Sequence, residues 1–409
     1  MHRVVVTGIG GISALGNDWP ALLGALKAGR NAVCTMPEWD RYPELGTRLA
    51  APVPNFAVPA EWTRKQLRSM GRVSQLAVYS ATRALADAGL MGDPHVSDGS
   101  MGVACGSSVG STADIRDFAE VLMTGHSTGI NANSYVRMMP HTTAANIGIF
   151  LGITGRIVPT SSACTSGSQG IGYAYEAIRF GRQTMMLAGG AEELCPSQAM
   201  AFDQLYATSR RNDSPALVPQ PYDRDRDGLV IGEGACILAL ESLEVARSRG
   251  ARIYAELAGF ASNSDGTHIT RPNEETMRIV MQMALRDAAI EPSQIGYVNG
   301  HGTATEHGDI AETQATTRVF GPTVPISSQK SYLGHTMGAC GALEAWVTIE
   351  GMRQGWFPPT INLHNMDPRC GELDYITGAG RTIDIEYAMS NNFAFGGINT
   401  SMIFRRWNS

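Results

Sequence analysis

A single cysteine, Cys164, stands where the chain is expected to pass from a strand into a helix. The stretch VPTSSACTSGSQGIGYAYEAIRFG (158–181) is predicted to follow a short buried strand at Ile157 and Val158, to turn through small residues, and to become helical after Cys164. Unpaired backbone N–H groups and the positive end of the helix dipole favour a thiolate there. Cys164 is therefore a candidate nucleophile, although structural packing is the commoner role of any one cysteine.

Two histidines in glycine-rich settings are candidates for the same site. His301 lies in GHGTATEHGD (300–309), and His335 follows Lys330 by five residues in QKSYLGHTMGACGALEA (329–345). Imidazole exchanges protons near neutral pH, although each histidine alone is more often structural. The glycine-rich stretch SNNFAFGGINTS (390–401) is a third unusual loop. Their combination with the helix-start cysteine indicates one site assembled from distant parts of the chain.

Alternating strands and helices must position these loops. Such alternation predicts an α/β protein whose sheets are covered by helices. VPTSSA (158–163) recurs as VPISSQ (324–329), and a small-residue loop and a helix follow each copy. The recurrence indicates an internal duplication. We place the boundary near residue 251, so that residues 1–251 carry the cysteine and residues 252–409 carry both histidines.

Composition excludes several functional classes. The chain has 409 residues and a net charge of −6, which gives no general reason to bind nucleic acid or an anionic membrane. Seven cysteines without a CxxC pair match neither a zinc site nor a disulfide framework, and they favour a reducing cytoplasm. No apolar run approaches the ~20 residues of a membrane helix. Residues 3–16 resemble a dinucleotide fingerprint, but Ser13 replaces its third glycine.

Basic residues begin a helix predicted over residues 62–90. Arg64, Arg68 and Arg72 are four residues apart and would share one face, with Lys65 beside them. A solvated basic face is the commoner interpretation, and a docking patch for an acidic partner is the alternative. A second possible basic contact is the pair Arg210 and Arg211.

The motifs, taken in order, resemble one family. VVVTGIG, SSACTSG, AGGAEELC, DRDRDGLVIGEGA, HGTAT, GHTMGACGALE and FAFGG follow the order of the β-ketoacyl-acyl-carrier-protein synthases of the elongating Cys-His-His type. The match extends over nearly the whole chain. It implies the thiolase fold, with two similar α/β halves in a five-layered αβαβα core, and usually a dimer.

The resemblance also implies roles for individual residues. Cys164 matches the family's nucleophile, His301 and His335 its histidine pair, Lys330 its site lysine, and Glu344 the buried acid after the second histidine.

Further matches concern the gate and the substrate channels. Phe395 matches the gating phenylalanine, whose backbone N–H joins that of the nucleophile in an oxyanion hole. Thr303 and Thr305 resemble the hydroxyls that hold the phosphopantetheine arm, and loop capping is their alternative role. Val109 and Phe202 fall where the family lines its acyl pocket.

Several residues depart from the family pattern. Ala394 stands where the family has glycine, and we expect it to resist a positive φ and to stiffen the gate loop. Glu306 and His307 replace a proline and a small residue near the pantetheine entrance, and Ser69 occupies the place of a lysine on the basic helix. These departures leave open primary fatty acid synthesis or a specialised polyene or polyketide pathway.

The implied reaction is decarboxylative condensation of malonyl carrier protein with an acyl group on Cys164. It implies no metal and no resident cofactor, since phosphopantetheine arrives on the acyl carrier protein. The expected assembly is a homodimer, or a heterodimer with a chain-length-factor-like subunit. A thiolase would need a second cysteine in place of His335, initiating synthases use His and Asn, and a silent chain-length partner would lack Cys164. The alternative from another class is a non-catalytic module that recruits carrier protein.

Overall fold

The structure is a computed structural model that describes residues 1–127 and 129–408. The strands are β1 (Val4–Ser13), β2 (Cys34–Thr35), β3 (Leu49–Ala51), β4 (Met101–Gly106), β5 (Ile157–Thr160), β6 (Met185–Glu192), β7 (Ile231–Gly232), β8 (Gly234–Ser242), β9 (Ala255–Ser264), β10 (Ile295–Asn299), β11 (Pro325–Ser327), β12 (Trp356–Phe357), β13 (Asp374–Tyr375), β14 (Arg381–Thr382), β15 (Tyr387–Ala394) and β16 (Ile398–Arg406). The helices are α1 (Trp19–Lys27), α2 (Arg64–Leu67), α3 (Arg72–Asp87), α4 (Thr112–Thr124), α5 (Ala132–Met138), α6 (Thr142–Leu151), α7 (Ser166–Arg179), α8 (Pro196–Asp203), α9 (Leu243–Ser248), α10 (Glu274–Ala288), α11 (Glu306–Phe320), α12 (Lys330–Leu333) and α13 (Cys340–Gln354). None of the helices in these ranges is both long and apolar enough to cross a membrane.

The main sheet repeats one strand pattern twice. Within the described residues it runs in the order β13, β11, β10, β15, β16, β9, β1, β8, β6, β4, β5. The first half places β1, β8, β6, β4 and β5 side by side, and the second half places β9, β16, β15, β10 and β11 in the equivalent order. The halves join where β1 pairs antiparallel with β9. The predicted duplication is therefore visible in the topology, and residue 251 falls between α9 and β9, where the second pattern begins.

Helices form three layers around the two halves of this sheet. α3 packs on the first half, with α6 beside it, and α10 packs on the second half, with α11 beside it. α7 and α13 lie between the halves, since α7 contacts β6 and β9 and α13 contacts β8 and β15. This arrangement is the five-layered α/β fold that the resemblance implies. Its central layer holds α7, which follows Cys164, and α13, which follows His335.

The small residues of α7 let it lie directly on the sheet. A Cβ atom on Gly170 would stand 2.7 Å from the carbonyl oxygens of Ala104 and Gly189, which is closer than real Cβ atoms approach. Glycine is therefore required for this contact. The contact fixes the start of α7, and with it Cys164, against the ends of β4 and β6.

Two sequence predictions of local structure are wrong in this chain. The strand before Cys164 is β5, which lies at the edge of the sheet, and Ile157 is 40% exposed rather than buried. The helix predicted over 62–90 is broken between α2 and α3, because Gly71 adopts an extended conformation and caps a new helix. Arg64 and Arg72 therefore lie on different helices and do not share a face.

Candidate active site

Cys164 lies in a tight turn that precedes α7. The turn is a single 3₁₀ segment, Ala163–Thr165, and Ala163 adopts a left-handed φ of 51°. Such a conformation costs a non-glycine residue on the order of 1–2 kcal/mol, so surrounding contacts must hold it. Ser166 supplies two of them: its hydroxyl accepts from the N–H of Ser162 at 3.0 Å and donates to the carbonyl of Ala163 at 2.7 Å.

The sulfur of Cys164 faces His335 and the gate loop. His335 Nε2 lies 2.9 Å from Cys164 Sγ. Burial raises the pKa of the Cys164 thiol to about 11, while the Lys330 ammonium and the Phe395 N–H lower it. Burial therefore outweighs the thiolate stabilisation expected at the helix start, and the resting group in the closed site is a thiol.

A backbone donor fixes the tautomer of His335. The residue is held beside β7, since its N–H donates to Val230 O at 2.7 Å and its carbonyl accepts from Gly232 N at 2.8 Å. Its Nδ1 accepts the Met337 N–H at 3.3 Å, so the ring hydrogen is on Nε2. Burial and the nearby Lys330 charge hold the pKa of His335 well below 6.5. His335 is thus a neutral donor that faces the cysteine.

A side-chain donor fixes the tautomer of His301. Lys330 Nζ lies 3.1 Å from His301 Nδ1, so the ammonium donates to that nitrogen and the ring hydrogen is on Nε2. The ring centroids of His301 and His335 are 5.2 Å apart, with ring planes nearly perpendicular at 88°. Burial and the Lys330 charge lower the pKa of His301 well below 6.5 as well. Two neutral imidazoles therefore present N–H donors side by side.

A buried ion pair holds Lys330 in place. Lys330 Nζ donates to Glu344, and both side chains are only 2% exposed. Burial opposes the charge on Lys330, but the Glu344 carboxylate outweighs it and raises the pKa of the ammonium. Asn392 donates to the other carboxylate oxygen of Glu344 at 2.7 Å. The sequence reasoning missed Asn392, whose only signal is its place three residues before the FGG of the third glycine-rich loop.

Two further buried acids shape the loop of His301. Glu312, on α11, accepts the backbone N–H groups of His301 and Gly302. Burial raises the pKa of Glu312 to about 8, while those N–H groups lower it. Arg226 lies between Asp309 and Asp367 as a fully buried ion-pair cluster. The quoted motifs contain Arg226 and Asp309, but the sequence assigned no role to either residue, because both act on the backbone rather than on a substrate.

The candidate residues meet in one cavity of about 410 Å³. Cys164, His301 and His335 line it together with Thr303 and Thr305. The two threonine hydroxyls lie 2.9 Å apart, so they form a polar strip on one wall.

Two aromatic rings cover another part of this cavity. The rings of Phe202 and Phe395 are 5.2 Å apart and tilted by 40°. Phe202 therefore lines the same cavity as Cys164, and its role in an acyl pocket stays a prediction. Val109 is a half-buried loop residue after β4 and is not among the described residues that line this cavity.

Comparison with known proteins assigns the family. Residues 1–246 match Beta-ketoacyl synthase, N-terminal domain, and residues 254–364 match Beta-ketoacyl synthase, C-terminal domain. The chain belongs to the β-ketoacyl synthase family. It is a condensing acyltransferase with the thiolase-like fold, as the resemblance implies.

Relatives of this β-ketoacyl synthase match over full length. The 3-oxoacyl-[acyl-carrier-protein] synthase 2 of Vibrio cholerae is 37% identical over 99% of both chains. A β-ketoacyl synthase from Burkholderia phymatum is 61% identical, with a TM-score of 0.99 over 100% of both chains. The ishigamide ketosynthase/chain length factor is 32% identical, with a TM-score of 0.92 over 100% of both chains.

The gate loop of the synthase does not require glycine at Ala394. Ala394 ends β15 and pairs with Ile398 in the hairpin to β16, and its φ is not positive. The positive φ values fall on Gly396 (90°) and Gly397 (68°). The expectation that position 394 needs a positive φ is therefore wrong, and the stiffening of the gate loop stays a prediction.

The other departures lie at the mouth of the cavity. Glu306 and His307 are exposed residues of the first turn of α11, and both line the cavity. Glu306 forms an ion pair with Arg369, and both side chains are more than half exposed. Exposed pairs of this kind contribute little to stability.

The predicted basic contacts separate into two groups. Arg64, Lys65 and Arg68 are exposed, and no described carboxylate lies within ion-pair distance of them. The other three predicted cations are each engaged by an acid: Arg72 by Glu233, Arg210 by Asp203, and Arg211 by Asp227.

Proposed function

We propose that this β-ketoacyl synthase is a 3-oxoacyl-[acyl-carrier-protein] synthase of fatty acid-type chain elongation. The observation that carries the proposal is that Cys164 and the Nε2–H donors of His301 and His335 face one cavity. The purified protein, given malonyl and acyl carrier protein, is expected to release CO₂ and to form 3-oxoacyl carrier protein. The proposal is refuted if Cys164 is not acylated and no condensation occurs with an acyl chain of any length.

The first half-reaction moves the acyl group to the enzyme. Cys164 Sγ attacks the thioester carbonyl carbon, and the backbone N–H groups of Cys164 and Phe395 stabilise the oxyanion. The carbon–sulfur bond to pantetheine then breaks, and the pantetheine sulfur leaves with the proton from the cysteine. Because burial holds Cys164 as a thiol, its proton is lost only as attack proceeds.

The second half-reaction makes the nucleophile. The bond between the malonyl carboxylate carbon and its neighbour breaks, CO₂ leaves, and the electron pair moves into a thioester enolate. The Nε2–H groups of His301 and His335 stabilise the enolate oxygen. The enolate carbon attacks the acyl carbonyl on Cys164, the cysteine sulfur leaves as a thiolate, and a proton from water returns it to the resting thiol. No resident cofactor or metal enters this scheme, since pantetheine arrives on the carrier protein.

A pH profile tests the neutral histidine pair. In a Cys164→Gln background, malonyl decarboxylation is expected to stay constant between about pH 6 and pH 8, because both imidazoles have pKa values well below 6.5. A second protonation of His301 at Nδ1 would place two positive charges 3.1 Å apart. The measurement is the rate of CO₂ release from malonyl carrier protein.

A variant of Lys330 is the matched comparison for this profile. Lys330→Met keeps the side-chain length and removes the charge that lowers the pKa of His301. Burial, the larger cause, still lowers the pKa of His301 in this variant, so the pKa should rise only in part, and the loss of rate on acidification should begin at a higher pH than in the parent. An inflection near pH 6.5 with Lys330 intact would contradict the assignment.

The exposed basic residues are proposed to dock the acidic carrier protein. Arg64→Glu, Lys65→Glu and Arg68→Glu together are expected to raise the KM for carrier-protein substrates about tenfold at low salt without changing kcat. The difference should shrink as salt screens the charges. Arg286→Glu, at an exposed arginine of α10, is the control with the same charge change. A KM unaffected by the triple reversal would place the docking surface elsewhere.

A homodimer is the assembly we propose. β5 leaves an unpaired sheet edge, and large apolar side chains of the surrounding helices are exposed: Leu122, Met123 and Ile149. A second copy would pair the edge and cover these side chains. The mass of the purified protein in solution distinguishes two copies from a complex with a chain-length-factor-like subunit.

The seven free cysteines support a reducing, cytoplasmic location, which fractionation of the native cells can test.

A further inference from the structure

Cys340 links the nucleophile turn to the network behind the histidines. It is the first residue of α13 and is 1% exposed. Its thiol donates to the backbone carbonyl of Cys164 at 3.2 Å. The other described side chains that hydrogen-bond to the backbone of residues 162–166 belong to that turn, to β5 or to the first turn of α7, all in the first half of the chain. Cys340 therefore supplies the contact from the second half of the chain.

The same thiol is an acceptor for Asn392. Asn392 Nδ2 carries two hydrogens, and it lies 2.7 Å from Glu344 Oε2, 3.4 Å from His301 Nδ1 and 3.7 Å from Cys340 Sγ. Lys330 donates to His301 Nδ1 from the shorter distance of 3.1 Å. One hydrogen of Asn392 is thus used by Glu344, and the other is available to the Cys340 sulfur, within the range of a bond to sulfur.

The placement of Cys340 on its helix makes this link rigid. Cys340 and Glu344 are four residues apart on α13 and lie on one face of it. The turn that Cys340 contacts contains Ala163 in a left-handed conformation, which persists only where neighbours hold it. The Cys340 thiol is suited to holding this turn, because it donates from α13, whose residues 340–352 are buried.

We propose that Cys340 is a positioning residue that holds the Cys164 backbone in register with the Lys330 and Glu344 network. This inference rests on the proposed condensation function and deepens it. Loss of the thiol should slow attack by Cys164, because small displacements of a nucleophile are costly. It should leave malonyl decarboxylation nearly unchanged, since Lys330 and Glu344 hold the histidine side without it.

The test compares Cys340→Ala with Cys340→Ser, whose hydroxyl can donate to the same carbonyl. In single-turnover acylation by acyl carrier protein, the alanine variant is expected to be about tenfold slower and the serine variant within about twofold of wild type. In a Cys164→Gln background, Cys340→Ala should decarboxylate malonyl carrier protein within about twofold of the parent. Cys236→Ala, which removes a buried thiol from β8, controls for lost packing.

A measurement without substrate separates this inference from the proposed function. Alkylation of Cys164 by iodoacetamide, followed by peptide mass spectrometry, should slow about fivefold in Cys340→Ala and recover in Cys340→Ser. If wild type is not acylated, the proposed function fails and the alkylation rates still decide the role of Cys340. Equal rates in all variants, no recovery with serine, or an equal loss of decarboxylation would overturn the positioning role.

Discussion

Cys164→Gln is expected to abolish condensation, by about 10³-fold or more, and to leave malonyl decarboxylation intact. The variant has no nucleophile, so no acyl-enzyme forms. Its side-chain amide oxygen can accept the backbone N–H groups of Cys164 and Phe395, as an acyl carbonyl would. The histidine pair is untouched. The measurements are CO₂ release, product formation, and the mass of the protein after exposure to acyl carrier protein.

Cys164→Ala is the matched comparison. It also removes the nucleophile, but it places no carbonyl in the oxyanion hole. Condensation should again be lost, and decarboxylation should be slower than with glutamine if the occupied hole promotes that step. Condensation that persists in either variant would show that the acyl group is not carried on Cys164.

His301→Ala is expected to lower malonyl decarboxylation by about 10²–10³-fold, the usual cost of removing one donor to a developing oxyanion. The loss should appear in kcat, since the donor acts on the enolate rather than on the bound ground state. Acylation of Cys164 should change far less, because the backbone N–H groups of Cys164 and Phe395 stabilise the oxyanion in that step. The measurement is made in the Cys164→Gln background, which isolates decarboxylation.

Two other histidine variants serve as a conservative comparison and a control for this result. His301→Gln keeps an N–H donor and should retain more activity than His301→Ala. His95→Ala removes an exposed histidine that pairs with Asp93, and it should change nothing. Equal losses with glutamine and alanine would mean that the ring is needed for a reason other than donation.

The reactive residues could be predicted because their types and order are unusual. Cys164 directly precedes a predicted helix, His301 and His335 each stand beside a glycine at the end of a predicted element, and the fold places all three around one cavity. Their protonation could not be predicted. It depends on Lys330 Nζ and the Met337 N–H, which approach the rings only in the folded chain.

The predictions of local structure were wrong where tertiary contacts determine the conformation of the chain. An apolar sequence does not distinguish a strand at the centre of a sheet from one at its edge, so the sequence predicts that β5 is buried. The helix pattern over 62–90 continues through Gly71, but this residue packs against Ser111 so tightly that a Cβ would lie 2.4 Å away, and the chain turns there. Glu312 and Asn392 were missed because an acid on a helix and an amide on a strand have no distinctive spacing.

The hydrogen-bond donors at Nδ1 of both imidazoles affect how this site could bind a metal ion. Cys164, His301 and His335 offer donor atoms within 4.8 Å of one another, which is the composition of a zinc site. A metal binds the imidazole nitrogen that lacks a hydrogen, so Nε2 would have to release its proton and Nδ1 would have to take one. At Nδ1 each ring would then meet a donor, Lys330 Nζ or the Met337 N–H. Zinc binding would therefore have to break the hydrogen bonds that aim two donors at the substrate.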